Sequence, residues 1–399
     1  MVTGPLSGVR VLDLTRFVAG SYATMLLAAL GAEVIKVEVP AGDPYRAQGT
    51  EQGSGESALF LALNAGKRSV AIDFRAAQGR EAFERLLARA DMLVENARPG
   101  SLARHGLDWE SVHARYPTLI YGSISGYGDV GPDASRGGFD LILQAESGIM
   151  SVTGAADSGP VKVGAPVLDV GAGLSCALGL LAAYVERNRT GVGRQVSSSL
   201  LEFALASLGT LAASVLASGE VPGLLGTHSP LFAPYGGFRT ADGWLVLAGA
   251  GSEDIWLRAC RALGLGALAS DPRFADNASR VASRDALTRE LEAVLTTKPT
   301  AHWLGVLADA GVPAGQIRSL PDALASPQVA ALGAVQELER AAAGPYRLIG
   351  PPLRIGDAPL GYPCPAPALG ADTIAVLADA GLAAEQIDGL ISQGIAVAT

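Results

Sequence analysis

Asp169 is the residue in this chain best placed for covalent chemistry. It lies in Gly164–Val196, GAPVLDVGAGLSCALGLLAAYVERNRTGVGRQV, between two apolar runs and beside Gly171 and Gly173. Val163–Leu168 predicts a short strand, and Ala172–Val185 a buried helix, closed by the Gly191–Gly193 turn. Asp169 then stands at a helix N-terminus on the edge of a core. One reading is an N-cap, a position that favours Asp. The other is a nucleophilic or basic carboxylate, kept ionised by the helix dipole and reachable because its glycine neighbours let a ligand approach.

Cationic side chains gather near strand ends at Lys67, Arg68, Arg75, Arg98 and Arg104. Any one of them could be ordinary solvated surface. Several on successive loops suit a phosphate-rich ligand, which Arg forks bind well. Two phosphate motifs fail. Gly126-Tyr-Gly-Asp-Val-Gly131 fits G-x-G-x-x-G but leads into Pro132 and a loop rather than a helix. Ala65-Gly-Lys-Arg-Ser69 lacks the leading glycine of a P-loop and has Arg68 where Ser or Thr belongs.

The four histidines (His105, His113, His228, His302) form no spaced ligand set, so no metal site is expected. No G-x-S-x-G elbow occurs. Three scattered cysteines fit a reducing, cytoplasmic setting. The net charge of −9 argues against a nucleic-acid partner. No signal pattern precedes the first strand, and the apolar run 200–218, which carries Glu202, reads as a buried helix rather than a membrane span.

The elements that must carry these residues alternate. Strands are predicted at Val9–Leu14, Ala32–Glu38, Arg68–Phe74, Asp91–Asn96 and Leu119–Ser125. Helices are predicted at Ser21–Leu30, Ala77–Ala90 and from Pro99 to Gly106. Such alternation implies parallel βαβ units, hence an α/β fold with a doubly wound, Rossmann-like large domain over 1–200. Residues 225–325, with the Ala241-Asp242-Gly243 turn and short helices, predict a smaller α+β domain. The proline-rich segment 326–399 predicts an arm returning to the large domain, with a helix near 371–381.

The stretches VRVLDLTRFVAG, GAEVIKVE, NAGKRSVAIDFR, VENARPGSLARHGL, IYGSISGYGDVGP, GGFDLILQAESGIMSVTG, VLDVGAG and RTGVGRQV together resemble the class III coenzyme A transferases over nearly the whole chain. This family includes formyl-CoA transferase and carnitine CoA-transferase, with α-methylacyl-CoA racemase as a relative. The resemblance implies an interlocked homodimer, with no permanently bound cofactor and coenzyme A as substrate. It implies that Asp169 attacks an acyl-CoA thioester, passes through an aspartyl anhydride and an aspartyl-CoA thioester, and delivers CoA to a free carboxylic acid. CoA contacts carry over to Val18, Ala19, Ile72, Asp73, Phe74, Arg75, Asn96, Ala97, Arg98, Arg104, Gly137, Gly138, Phe139 and Asp140.

The chain departs from the family pattern at Val39, where an arginine is frequent, and at Val18, where some members have glutamine. Gly226–Tyr235 stands in the region of formyl-CoA transferase's glycine-rich loop. The racemases have Gly-His-Asp where this chain has Gly138-Phe139-Asp140, and phenylalanine cannot exchange a proton. Racemisation is therefore the alternative to transfer. A nicotinamide-dependent oxidoreductase and a non-catalytic CoA-binding protein stand further back. The run GTHSPLFAPYGGFRTADG looks most like members that use succinyl-CoA and dicarboxylic acids. Arg16, Arg46 and His228 are candidate partners for the acceptor's carboxylate.

Overall fold

The computed structural model describes residues 4–52, 56–340 and 344–399. Short apolar runs set between helices give strands buried on both faces, the usual condition for parallel pairing. Five of them, β1 (Arg10–Asp13), β2 (Glu33–Glu38), β3 (Lys67–Ile72), β4 (Met92–Glu95) and β5 (Ile120–Ser125), pair in parallel, joined by the polar, part-exposed β6 (Gln195–Ser199), in the order β3-β2-β1-β4-β5-β6. A short strand, β7 (Ala396–Val397), runs antiparallel along the outer edge of β3. The order reverses between β1 and β4, and in such sheets ligands bind outside the carboxyl ends of the strands at that point.

The chain divides into two compact units. One comprises the residues up to Ser147, Gly164–Gly209 and Ser326 onward; the other comprises Gly148–Val163 and Thr210–Ala325. Gly148–Val163 is held in the second unit by an Ala155–Leu225 bridge and by the Gly226 amide donating to Gly154 O. The segment from Ser326 packs on the sheet unit: Val376, Leu377, Ile387 and Leu390 share a core with Leu12, Ile35 and Phe83. The second unit is built on the hairpin Tyr235–Arg239 and Trp244–Ala248, with Ala314–Gln316 on its edge. Phe238, Trp256, Phe274 and Leu291 form its core.

Five helices matter to the site: α1 (Ala19–Ala29), α2 (Ala77–Leu87), α3 (Asp140–Glu146), α4 (Val167–Thr190) and α5 (Leu200–Ser207). Several expectations are corrected here. The strand before Asp169 does not form, because α4 starts at Val167 and takes its last residues. The helix expected from Pro99 is one tight turn, Ala103–His105, closed by left-handed Gly106. The single buried helix over 200–218 is two helices bent by 72°, and the second, Gly209–Ser218, has no buried residue. α4 is not buried all round, since the apolar Leu174, Leu178 and Val185 are exposed in the single chain.

The glycines beside Asp169 serve packing. A Cβ at Gly171 would strike the Phe203 ring, and one at Gly173 would strike the Ala19 carbonyl oxygen. Gly173 thus lets α4 lie directly on the backbone that opens α1. Gly173→Ala would gain about 1 kcal/mol of helix propensity. The clash is with backbone that cannot rotate away, so overpacking of about 1–3 kcal/mol wins. The expected outcome is a lower urea midpoint. An unchanged or raised midpoint would mean α1 shifts freely, contrary to this packing.

Candidate functional site

The crevice at the switch point is lined by Leu14 and Arg16 after β1, Val39 after β2, Phe74 after β3 and Ala97 after β4. Beneath it lies a buried polar network. Asp13, fully buried, pairs with Lys67 at 2.9 Å and accepts from the Thr15 amide and hydroxyl and from Thr24 Oγ1. Burial pushes the Asp13 carboxyl up, but Lys67 and Lys36 override it and hold it at about 2. Burial pulls Lys67 down to about 8 against the attraction of Asp13. Lys67 is therefore a floor residue and not a free phosphate ligand. Arg68 is also corrected: it pairs with Glu33 and Asp372 near the opposite, amino-terminal ends of the strands.

The turn from β1 to α1 carries Phe17 with φ +60, the one non-glycine residue of positive φ among those described. A bulky residue there costs on the order of 1–3 kcal/mol and persists only where its neighbours are over-determined. They are. Asp13 fixes the Thr15 amide, Lys36 Nζ donates to Thr15 O at 2.9 Å, and Asn96 grips Arg16 at both its N–H (2.9 Å) and its C=O (2.7 Å). The Asn96 amide thus ties the β4 loop to the β1 loop, using groups that the family resemblance assigned to CoA.

Lys36 also pairs with buried Asp43 at 2.9 Å. Asp43 in turn caps the turn Pro44–Ala47 by accepting from the Tyr45 amide. Tyr45 packs edge-on to Phe17 with ring centres 5.3 Å apart, and Phe139 also meets Phe17 edge-on at 6.2 Å. Sequence reasoning missed Lys36, Asp43, Phe17 and Tyr45. One signal was available: a lysine inside the apolar run of GAEVIKVE must find a buried partner.

Asp169 is in the first turn of α4 and does not cap it. The cap comes from Asp140, whose Oδ2 accepts from the amides of Leu168 (2.9 Å) and Asp169 (3.3 Å); its Oδ1 accepts from Gln144 Nε2. Pro166, in the N-cap position, offers no side-chain acceptor. Burial, and secondarily the Asp140 charge, raise the Asp169 carboxyl to about 7. Burial thus opposes the helix amides and dipole that were expected to keep the carboxyl ionised. Burial, and then the charges of Asp169 and Asp43, push the Tyr45 phenol up. Asp140 is consequently a positioning group for Asp169. Asp140→Ala should cost about 0.5–2 kcal/mol of stability as a lost cap, and Asp140→Asn, which keeps an acceptor, less. Thermal unfolding of both variants checks this; equal losses would remove the capping role.

The remaining residues named from sequence fall as follows. Val18 and Ala19 open α1, where no side chain caps the helix. Ile72 is buried at the end of β3. Arg75 is exposed and forms a two-bond pair with Asp73, at 2.7 and 2.9 Å. Arg98 lines a separate cleft with Glu95 and Tyr121, and Ala97 borders both clefts. The exposed Arg104 donates to Ser101 O. Gly138 stacks against Gly126, which explains the first glycine of the failed fingerprint by close backbone approach; Gly137 has open space. Arg46 is held by Glu38 and lies 3.7 Å over Phe60. His228 belongs to the second unit, against Gly236 and Phe238. Arg16 is exposed on the crevice wall, with no side-chain ion pair among the described residues.

Comparison with known proteins decides the family. The model of CoA-transferase family III matches residues 6–373. The chain is a class III CoA-transferase. It is 38% identical to the succinate–glutarate CoA-transferase of Agrobacterium fabrum, over 94% of this chain and 95% of that one. It is also 38% identical to the mouse succinyl-CoA:glutarate CoA-transferase, over 94% and 86% of the two chains. A crystal structure of a CAIB/BAIF family protein from Brucella suis superposes with a TM-score of 0.84 at 38% identity, covering 95% of this chain and all of that one. Like other members of the class III family, the protein is an enzyme of CoA transfer.

Proposed function

We propose that this transferase moves CoA from succinyl-CoA to a second dicarboxylic acid through covalent intermediates on Asp169. The observation that carries the reading is the placement of Asp169: a half-buried carboxyl in the first turn of α4, its amide held by Asp140, the residue after Phe139, in a chain whose relatives exchange CoA between succinate and glutarate. An Asp169 oxygen attacks the thioester carbonyl, the C–S bond breaks, and CoA thiolate leaves an anhydride. The thiolate attacks the Asp169 carbonyl and expels the donor acid, giving an aspartyl-CoA thioester. The acceptor carboxylate attacks that carbonyl, displacing thiolate and forming a second anhydride. Thiolate then attacks the acceptor's acyl carbon and restores Asp169. Charge is conserved at every step, so no proton donor is required.

Phe139, next to the Asp140 that holds the Asp169 amide, offers no exchangeable proton, which favours transfer over racemisation. The uncapped start of α1 and the arginines Arg16, Arg75 and Arg104 supply anion-binding groups for CoA phosphates. The exposed apolar face Leu174, Leu178 and Val185 on α4 supports an interlocked homodimer, and three unpaired cysteines support a cytoplasmic setting.

The test is incubation of succinyl-CoA with isotope-labelled dicarboxylic acids in heavy water, read by mass spectrometry. Labelled thioester without α-deuterium is expected. In a parallel incubation with a 2-methylacyl-CoA, α-deuterium without thioester exchange would make the protein a racemase. Arg104→Ala should weaken CoA binding by about 1.5–3 kcal/mol. Arg75→Ala should cost less, because Arg75 must give up its pair with Asp73 to reach a phosphate. Calorimetry showing unchanged affinity in both would take them out of the site.

A further inference from the structure

We propose that Phe17, Tyr45 and Phe139 form a water-excluding wall for acyl intermediates on Asp169, and that buried Lys36 is the residue that positions it. This rests on the covalent reading above and adds to it a device for directing the intermediate. An acyl-aspartyl anhydride beside bulk water has an alternative fate. Water attacks the acyl carbonyl, the bond to the Asp169 oxygen breaks, a proton passes to solvent, and the free acid leaves. The net result is thioester hydrolysis in place of transfer. A transferase must therefore keep water from that carbonyl while thiolate and acceptor exchange.

The three rings come from three separate loops and meet on Phe17, at 5.3 Å for Tyr45 and 6.2 Å for Phe139. Phe139 directly precedes Asp140, which holds the amide of Asp169, so the ring and the nucleophile share one anchor. Phe139 is 65% exposed, so its contact with Phe17 leaves much of the ring uncovered. The left-handed backbone of Phe17 is costly for such a residue, and three separate contacts hold its neighbours in place. Lys36 joins two of the loops: one of its contacts is Thr15 O, next but one to Phe17, and the other is Asp43, the cap of the turn carrying Tyr45.

The experiment measures, for each variant, free succinate released against labelled thioester formed. Phe17→Ala, Phe17→Gly and Tyr45→Leu should each raise the hydrolysis-to-transfer ratio about tenfold or more. The two Phe17 variants should agree, because both remove the ring while only glycine relieves the backbone. Lys36→Met should move the ratio the same way. If it fails to fold, the three wall variants still decide. Transfer and hydrolysis falling together, with the ratio unchanged, would reduce the rings to packing and overturn the proposal. Wild-type protein giving no thioester with any acid would instead overturn the functional reading, and the wall with it.

Discussion

Asp169→Asn should lower CoA transfer by at least about 10⁴-fold, the scale on which loss of a covalent nucleophile is felt. The substitution is close to isosteric. Asp140 accepts from the backbone amides of residues 168 and 169, not from the side chain, so the cap and the start of α4 survive. CoA affinity should stay within about twofold, because the anion-binding groups lie elsewhere. The measurement is thioester exchange under single-turnover conditions, with mass spectrometry of the protein to exclude reversion to Asp. A variant that transfers within tenfold of wild type would end the covalent mechanism. Wild-type protein quenched with acyl-CoA should also show a peptide containing Asp169 carrying the mass of the aspartyl thioester.

The alternation of apolar strands and helices was legible because parallel strands buried on both faces leave a continuous apolar signature. β1 to β5 fall within a residue or two of where the pattern put them. Asp169 is legible in the sequence as the candidate nucleophile proposed above, but its surroundings are not. The start of α4 was misplaced because its cap is supplied from α3, 28 residues earlier in the chain, and no local pattern announces a cap from that distance. The glycines beside it suggested an open approach; their purpose, contact with Ala19 and Phe203, depends on which helices cross there. Surface arginines could be counted but not sorted. Only pairing geometry separates Arg46 and Arg68, held by acids, from Arg16 on the crevice wall. Phe17 is the least legible, since no residue preference predicts a left-handed phenylalanine.

Raising the Asp169 carboxyl to about 7 has two consequences of opposite sign, one for rate and one for stability. Only the carboxylate attacks, so kcat/KM for the acyl-CoA should fall as pH drops through 7, by about 50-fold between pH 7 and pH 5. Asp140→Asn removes the like charge and should move the inflection down, leaving the larger part due to burial. For stability, the unfolded carboxyl ionises near its ordinary value and the folded one only near 7. The unfolded state therefore loses its proton first as pH rises, and the fold is destabilised across that window. Below it both states are protonated and the penalty vanishes. Asp169→Asn carries no charge to bury, so it should be more stable than wild type at pH 8, and that advantage should shrink by roughly 2–3 kcal/mol on going to pH 5. Urea unfolding of both proteins at the two pH values measures it. An advantage that is constant with pH, or larger at pH 5, would show that Asp169 is not held above its ordinary range. A wild-type rate flat from pH 5 to 8 would show the same by an independent route. If both signs hold, the group that makes the chemistry possible is also one that weakens the fold at the pH where it works, the trade expected of a buried nucleophile.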